Sequence, residues 1–182
     1  MIEVRFHGRG GQGAVTSCEL VAQAAIAEGK YAQAFPSFGP ERRGAPLQAF
    51  LRISDQPIRL REKIYKPDVV VVLDPALVAT GNVKDGLKDG GVLVVNSSKP
   101  IDAVKGECGF KGRTAVVDAT KIAEEEMGVP ITNTTMLGAL LKAQEVVAKE
   151  SLKEPLQHRF GRIAEKNLKS LERAFNETQI EE

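Results

Sequence analysis

The chain has no tryptophan, two cysteines, two histidines and 5% aromatic residues, and its charges nearly cancel, with 25 Lys and Arg against 24 Asp and Glu in 182 residues. Each scarcity closes a route. A nucleic-acid binder carries a basic excess, and a reader of single strands needs aromatic platforms, so neither partner is expected. Cys18 and Cys108 are far apart and in no C-x-x-C pattern. They read as reduced thiols of a cytoplasmic protein, and no metal or iron–sulfur site is expected from this chain alone. No apolar run reaches the ~18 residues of a membrane span, and the N-terminus reads as a strand rather than a signal peptide. There is no H-E-x-x-H and no G-x-S-x-G, so a complete catalytic set is missing. His7 is either an acid–base group or a satisfied side chain at a strand end, and His158 falls on a late charged helix.

What is present begins at the N-terminus. An apolar run over 2–7 passes into Gly8, Arg9, Gly10, Gly11, Gln12 and Gly13, and then into an alanine-rich stretch over 14–27. This reads as strand, tight loop and helix. Gly8, Gly10 and Gly13 fit the G-x-G-x-x-G spacing, in which bare backbone N–H groups can approach a ligand. The following helix start favours an anion, and Arg9 adds a full charge. The loop is either a phosphate cradle or a tight turn that binds nothing. A dinucleotide site wants an acidic residue at the end of the second strand, but Ala34, Phe35, Pro36 and Ser37 stand there. No Gly-Lys-Ser/Thr ends the loop, so it is not a Walker A motif. A stand-alone nucleotide-binding oxidoreductase domain therefore remains only as an alternative of another class.

The loop over 35–46 holds Phe35, Phe38, Glu41, Arg42 and Arg43 among three prolines and two glycines. It is either a second anion contact or partner anchor, or a solvated turn. Strands are expected over 31–35, 47–54, 69–73, 92–95 and 114–117, the β-branched run at 69–73 being central and buried. Residues 58–61 are expected to return as an antiparallel hairpin partner of 47–54. Helices are expected at 121–127 with Asp118 or Thr120 as cap, at 136–147, and after a Ser151–Glu154 capping box, with a break at Gly161 and a frayed tail after 176. Residues 101–111 read as irregular. The fold class is α/β: one Rossmann-like, three-layer α/β/α domain over 1–182 with a mostly parallel, mixed sheet.

Three segments together, Gly8 to Gly13, the Phe-Gly-Pro-Glu-Arg-Arg-Gly-Ala-Pro run over 38–46, and Asn133-Thr134-Thr135-Met136-Leu137-Gly138-Ala139-Leu140, resemble the gamma subunit of the 2-oxoacid:ferredoxin oxidoreductases. The likeness covers nearly the whole chain and is strongest to the pyruvate type (pyruvate synthase). The branched-chain type is close behind, and the 2-oxoglutarate type more often has Gly where Ala45 stands. The resemblance implies a reaction in which a 2-oxoacid and coenzyme A give acyl-CoA, carbon dioxide and reduced ferredoxin. It also implies that thiamine diphosphate, Mg2+ and iron–sulfur clusters sit on alpha, beta and delta partner subunits, with none bound by this chain alone. What would remain here is assembly and substrate access. The glycine loop with Arg42 and Arg43 would either bind phosphates of coenzyme A or pack against partners, with Phe35, Phe38, Glu41 and Asn133 at the subunit interface.

Overall fold

The computed structural model describes residues 1–37, 43–80 and 82–182. Phe38, Glu41 and Arg42 lie outside them. The elements run β1 (Ile2–Arg9), α1 (Ala14–Ala27), β2 (Tyr31–Pro36), β3 (Pro46–Ser54), β4 (Val69–Val72), a 3-10 turn (Pro75–Thr80), β5 (Val92–Asn96), α2 (Ile101–Cys108), β6 (Thr114–Val117), α3 (Ala119–Met127) and α4 (Asn133–Ala143). A 3-10 turn (Lys149–Leu152), α5 (Lys153–Phe160), a second short turn (Gly161–Ile163), α6 (Ala164–Glu177) and β7 (Gln179–Glu181) complete the chain. The seven strands form one mixed sheet in the order β2-β3-β1-β4-β5-β6-β7. β1, β4, β5 and β6 are parallel neighbours, and the antiparallel pairs are β1–β3, β2–β3 and β6–β7. This is the expected three-layer α/β architecture.

The two faces of the sheet differ because strand side chains alternate. Val4 and Phe6 of β1, with Val69, Val71, Val92 and Val94, pack on the face covered by α1, α3, α4 and α6. The opposite face places Val70, Val72, Leu93 and Val95 against the 3-10 turn after β4 and against α2. With both faces covered, the all-valine β4 is wholly buried, as a continuous β-branched run requires. Arg5 and His7 point to this second face, where no helix among the described residues covers β1 and β3. Small residues set the closest approaches on the first face. A Cβ added to Gly138 would stand 2.1 Å from the carbonyl oxygen of Leu171, so α4 and α6 meet backbone to backbone.

Several expectations fail for identifiable reasons. Residues 58–61 form no strand: the antiparallel partners of β3 are β1 and β2, and the exposed Arg59, Leu60 and Arg61 belong to an irregular strap. That strap is tied to the sheet by Gln33 Nε2 donating to the Leu60 carbonyl (3.0 Å). Residues 101–108 are helical despite Gly106, because Val104 and Cys108 bury together and Gly109 closes the helix in the left-handed conformation at φ 59. α4 stops at Ala143, where Gln144 turns extended; Val146 and Val147 still reach the core, but from the chain beyond the helix. The Ser151–Glu154 capping box does not form: Ser151 lies inside a 3-10 turn, and Leu152 precedes α5 with no side-chain cap. The tail is not frayed. β7 pairs with β6, setting Ile180 opposite Ala115.

Candidate functional site

The connection leaving β1 passes over one face of the sheet and the one leaving β4 over the other, so a crevice opens at their carboxyl ends, where ligands lie in sheets of this kind. The glycine loop forms one wall, and its glycines have local reasons. Gly11 and Gly13 have φ of 91 and 79. A Cβ on Gly13 would stand 2.6 Å from Asn133 Nδ2. The other wall is Leu73 and Asp74, with the Leu73 N–H extending the ladder to the His7 carbonyl (2.8 Å).

Side chains latch the two walls together. Asp74 Oδ2 accepts from Arg9 Nε (2.9 Å) and Gln12 Nε2 (3.1 Å), and Asp74 Oδ1 caps the following turn at the Ala76 N–H (2.9 Å). Gln12 Oε1 takes the Arg9 N–H (2.7 Å). The guanidinium of Arg9 is therefore paired within the chain. It also holds the Gly44 carbonyl through Nη1 (3.2 Å).

The glycine loop and the segment over 43–46 are joined through the backbone. Gly10 N–H donates to the Ala45 carbonyl (3.0 Å), Gly44 N–H donates to the Gly10 carbonyl (3.2 Å), and Gly10 and Arg43 form a parallel bridge. Arg43 is exposed, with its Nε 4.0 Å from where a Cβ of Gly11 would stand.

Next to this junction α1 begins without a side-chain cap on Gly13 and without an acidic residue in its first turn. The N–H groups of that turn and the helix dipole favour an anion there. Arg159, on α5, reaches Thr16 in the same turn (Nη2 to Oγ1, 3.4 Å). Sequence reading missed Arg159, and nothing local marks it, because the two residues are 143 positions apart. Arg43 thus lies beside Gly11, ahead of the helix, and Arg159 beside Thr16 in its first turn.

The other candidates are placed as follows. Asn133 opens α4 against Gly13 and is 6% exposed; its Oδ1 and the Thr134 hydroxyl are buried without a partner among the described residues. Phe35 packs inside the chain, its ring 5.2 Å from that of Phe50 and with the Arg52 guanidinium 5.6 Å from its centre.

His7 is 5% exposed. Arg5 Nε donates to its Nε2 (2.9 Å), and Arg5 Nη2 donates to the Val83 carbonyl (3.0 Å). Arginine is always a donor, so Nε2 accepts and the neutral ring carries its proton on Nδ1. Burial first, and the Arg5 charge second, push the His7 pKa down to about 3. Buried and bonded to Arg5, the ring fits the reading of a satisfied side chain at a strand end. His7 lies at the floor of a cleft of about 360 Å3, with Gln48, Lys63, Leu77 and Asn82 in its walls.

Among the described residues, no three His, Cys, Asp or Glu side chains gather to hold a metal ion. The two thiols are buried in different cores, Cys18 beneath α1 and Cys108 under α2, so their placement does not fit a cluster. No helix among the described residues is long and apolar enough to cross a membrane.

The pyruvate ferredoxin/flavodoxin oxidoreductase family model matches residues 3–177. The chain is 56% identical over 184 residues, with all of both chains covered, to the pyruvate/ketoisovalerate oxidoreductases common subunit gamma of Thermococcus kodakarensis. It is 49% identical over 178 residues, covering 97% of each chain, to the pyruvate synthase subunit PorC of Methanocaldococcus jannaschii. The crystal structure of the pyruvate oxidoreductase subunit PORC of Thermotoga maritima superposes with a TM-score of 0.90 at 39% identity, over 100% of this chain and 98% of that one. With the family model matched over residues 3–177 and end-to-end likeness to these subunits, this chain is a member of the pyruvate ferredoxin/flavodoxin oxidoreductase family.

Proposed function

We propose that the chain is the gamma subunit of a pyruvate-type 2-oxoacid:ferredoxin oxidoreductase of the cytoplasm, working with alpha, beta and delta subunits and passing electrons to ferredoxin. The complex converts a 2-oxoacid and coenzyme A to acyl-CoA and carbon dioxide. Thiamine diphosphate with Mg2+ stabilises the carbanion on a partner subunit, and iron–sulfur clusters there take the electrons. This chain binds and orients the phosphate end of coenzyme A.

The observation that supports the reading is the uncapped first turn of α1, with Arg159 at Thr16 in that turn and Arg43 beside Gly11 in the loop that leads into it. Guanidinium forks pair two phosphate oxygens each, and backbone N–H groups take the rest. Arg42 adjoins Arg43 in sequence and is assigned to the same anion. Arg9 is assigned the latch to Asp74 rather than a phosphate, because its Nε is already paired at 2.9 Å.

The relatives' common subunit serves oxidoreductases of both pyruvate and ketoisovalerate, which favours a second reading in which this chain is likewise shared with a branched-chain 2-oxoacid enzyme.

The test is coenzyme A affinity of the assembled complex carrying Arg43→Ala with Arg159→Ala. Loss of two charge-assisted contacts should weaken it by about 3 kcal/mol, on the order of a hundredfold. Unchanged affinity with weakened assembly would assign this face to subunit contact instead.

A further inference from the structure

A cleft on the other face of the sheet has no part in that reading. Arg5 and His7 of β1 project there, opposite to Phe6 and away from α1. A cleft of about 360 Å3 opens beside them, within the size range of small-molecule sites. Three features give it a chemical character. The first is the fixed imidazole. Arg5 occupies Nε2, so the one proton of the ring lies on Nδ1, which makes no hydrogen bond among the described residues. The second is Lys63, held at the rim because the buried Arg52 takes the Lys63 carbonyl through Nη2 (3.4 Å). The same strap carries Arg59, Arg61 and Lys66 along with Asp55, Glu62 and Asp68, and no carboxylate lines the cleft among its described residues. The third is the aliphatic wall formed by Leu47, Leu77 and Val83.

His7 and Lys63 thus line one cleft as donors, with an aliphatic wall beside them and no carboxylate among its described lining. We propose that this cleft binds a small organic carboxylate with a short aliphatic body, its oxygens on the His7 Nδ1–H and the Lys63 ammonium. A neutral imidazole suits this role, because a donor locked by Arg5 keeps its direction whatever occupies the cleft. Lys63 supplies the charge, and the apolar wall supplies the preference for a carbon skeleton over inorganic phosphate.

The chain has only two histidines, so the imidazole N–H resonances of the full-length protein separate His7 from His158 on α5. Titration with isobutyrate should move the His7 signal saturably and leave the His158 signal in place. Isobutyramide, which has the same skeleton without charge, and inorganic phosphate should not move it. Lys63→Met, at an exposed position, should weaken isobutyrate binding about tenfold, and Lys63→Arg should restore most of it. Failure of isobutyrate to saturate in the millimolar range, equal movement of both histidines, equal response to phosphate or amide, or full affinity in Lys63→Met would each overturn the assignment.

Discussion

Acid should loosen this protein through one ring. His7 is 5% exposed and its pKa is held near 3, against 6.5 for an ordinary imidazole. Below pH 6.5 the unfolded chain takes up a proton that the folded chain refuses, so stability falls as pH falls. The contribution is complete above pH 6.5 and is lost progressively toward pH 3. The slope inside that window is about 1.4 kcal/mol per pH unit, so moving from pH 7.5 to 5.0 should remove about 2 kcal/mol. At Glu28, desolvation is outweighed by hydrogen bonds from Ser151 and the Ala148 N–H and by Lys30. Its pKa therefore lies below the ordinary 4.5, and its own contribution begins to be lost only below the pH 5.0 end of the assay. His7→Gln keeps an acceptor for Arg5 Nε but cannot titrate. Urea unfolding of both proteins at pH 7.5, 6.5, 5.5 and 5.0 should show the wild type losing about 2 kcal/mol more than the variant. Parallel stability curves would refute the buried, Arg5-bonded neutral ring, and with it the fixed Nδ1 donor of the cleft.

Three further substitutions probe the site and its support. Gly13→Ala combines a left-handed φ of 79 with a Cβ 2.6 Å from Asn133, and should cost about 3 kcal/mol in chemical denaturation; a loss below 1 kcal/mol, on the order of backbone preference alone, would mean the loop and α4 are not packed as described. Gly138→Ala pushes a methyl to 2.1 Å from the Leu171 carbonyl and should separate α4 from α6, lowering the melting temperature by roughly 10 °C; a neutral outcome would exclude the backbone contact. Asp74→Asn keeps the cap on Ala76 but drops the ion pair to Arg9, whose guanidinium is a third exposed. After screening it should cost about 1 kcal/mol or less, and coenzyme A affinity of the complex should rise as Arg9 is released; an affinity that falls would make Asp74 part of the binding surface.

Much of the scaffold was legible because its causes are local. The valine run of β4, the glycines at 11 and 13 and the small-residue face of α1 each dictate their conformation within a few residues. The helix over 101–108 and the strand over 179–181 were not, since each is stabilised from a distance. Val104 and Cys108 need the opposite core, and Ile180 needs β6. The strap over 55–68 shows the reverse case: its pattern suggests a hairpin, but β2 had already taken the outer edge of β3.

Residue chemistry and short-range geometry belong to the sequence: the strand, the glycine turn, the uncapped helix start and the likeness that marks the family. Which charges are free belongs to the fold. Asp74 meets Arg9 across 65 positions, Arg159 meets Thr16 across 143, and Arg5 finds the Val83 carbonyl across 78. No local pattern encodes such meetings, because they follow from how a mixed sheet orders its strands. The same ordering leaves Arg9 paired, keeps His7 neutral, and brings Arg159 to the start of α1.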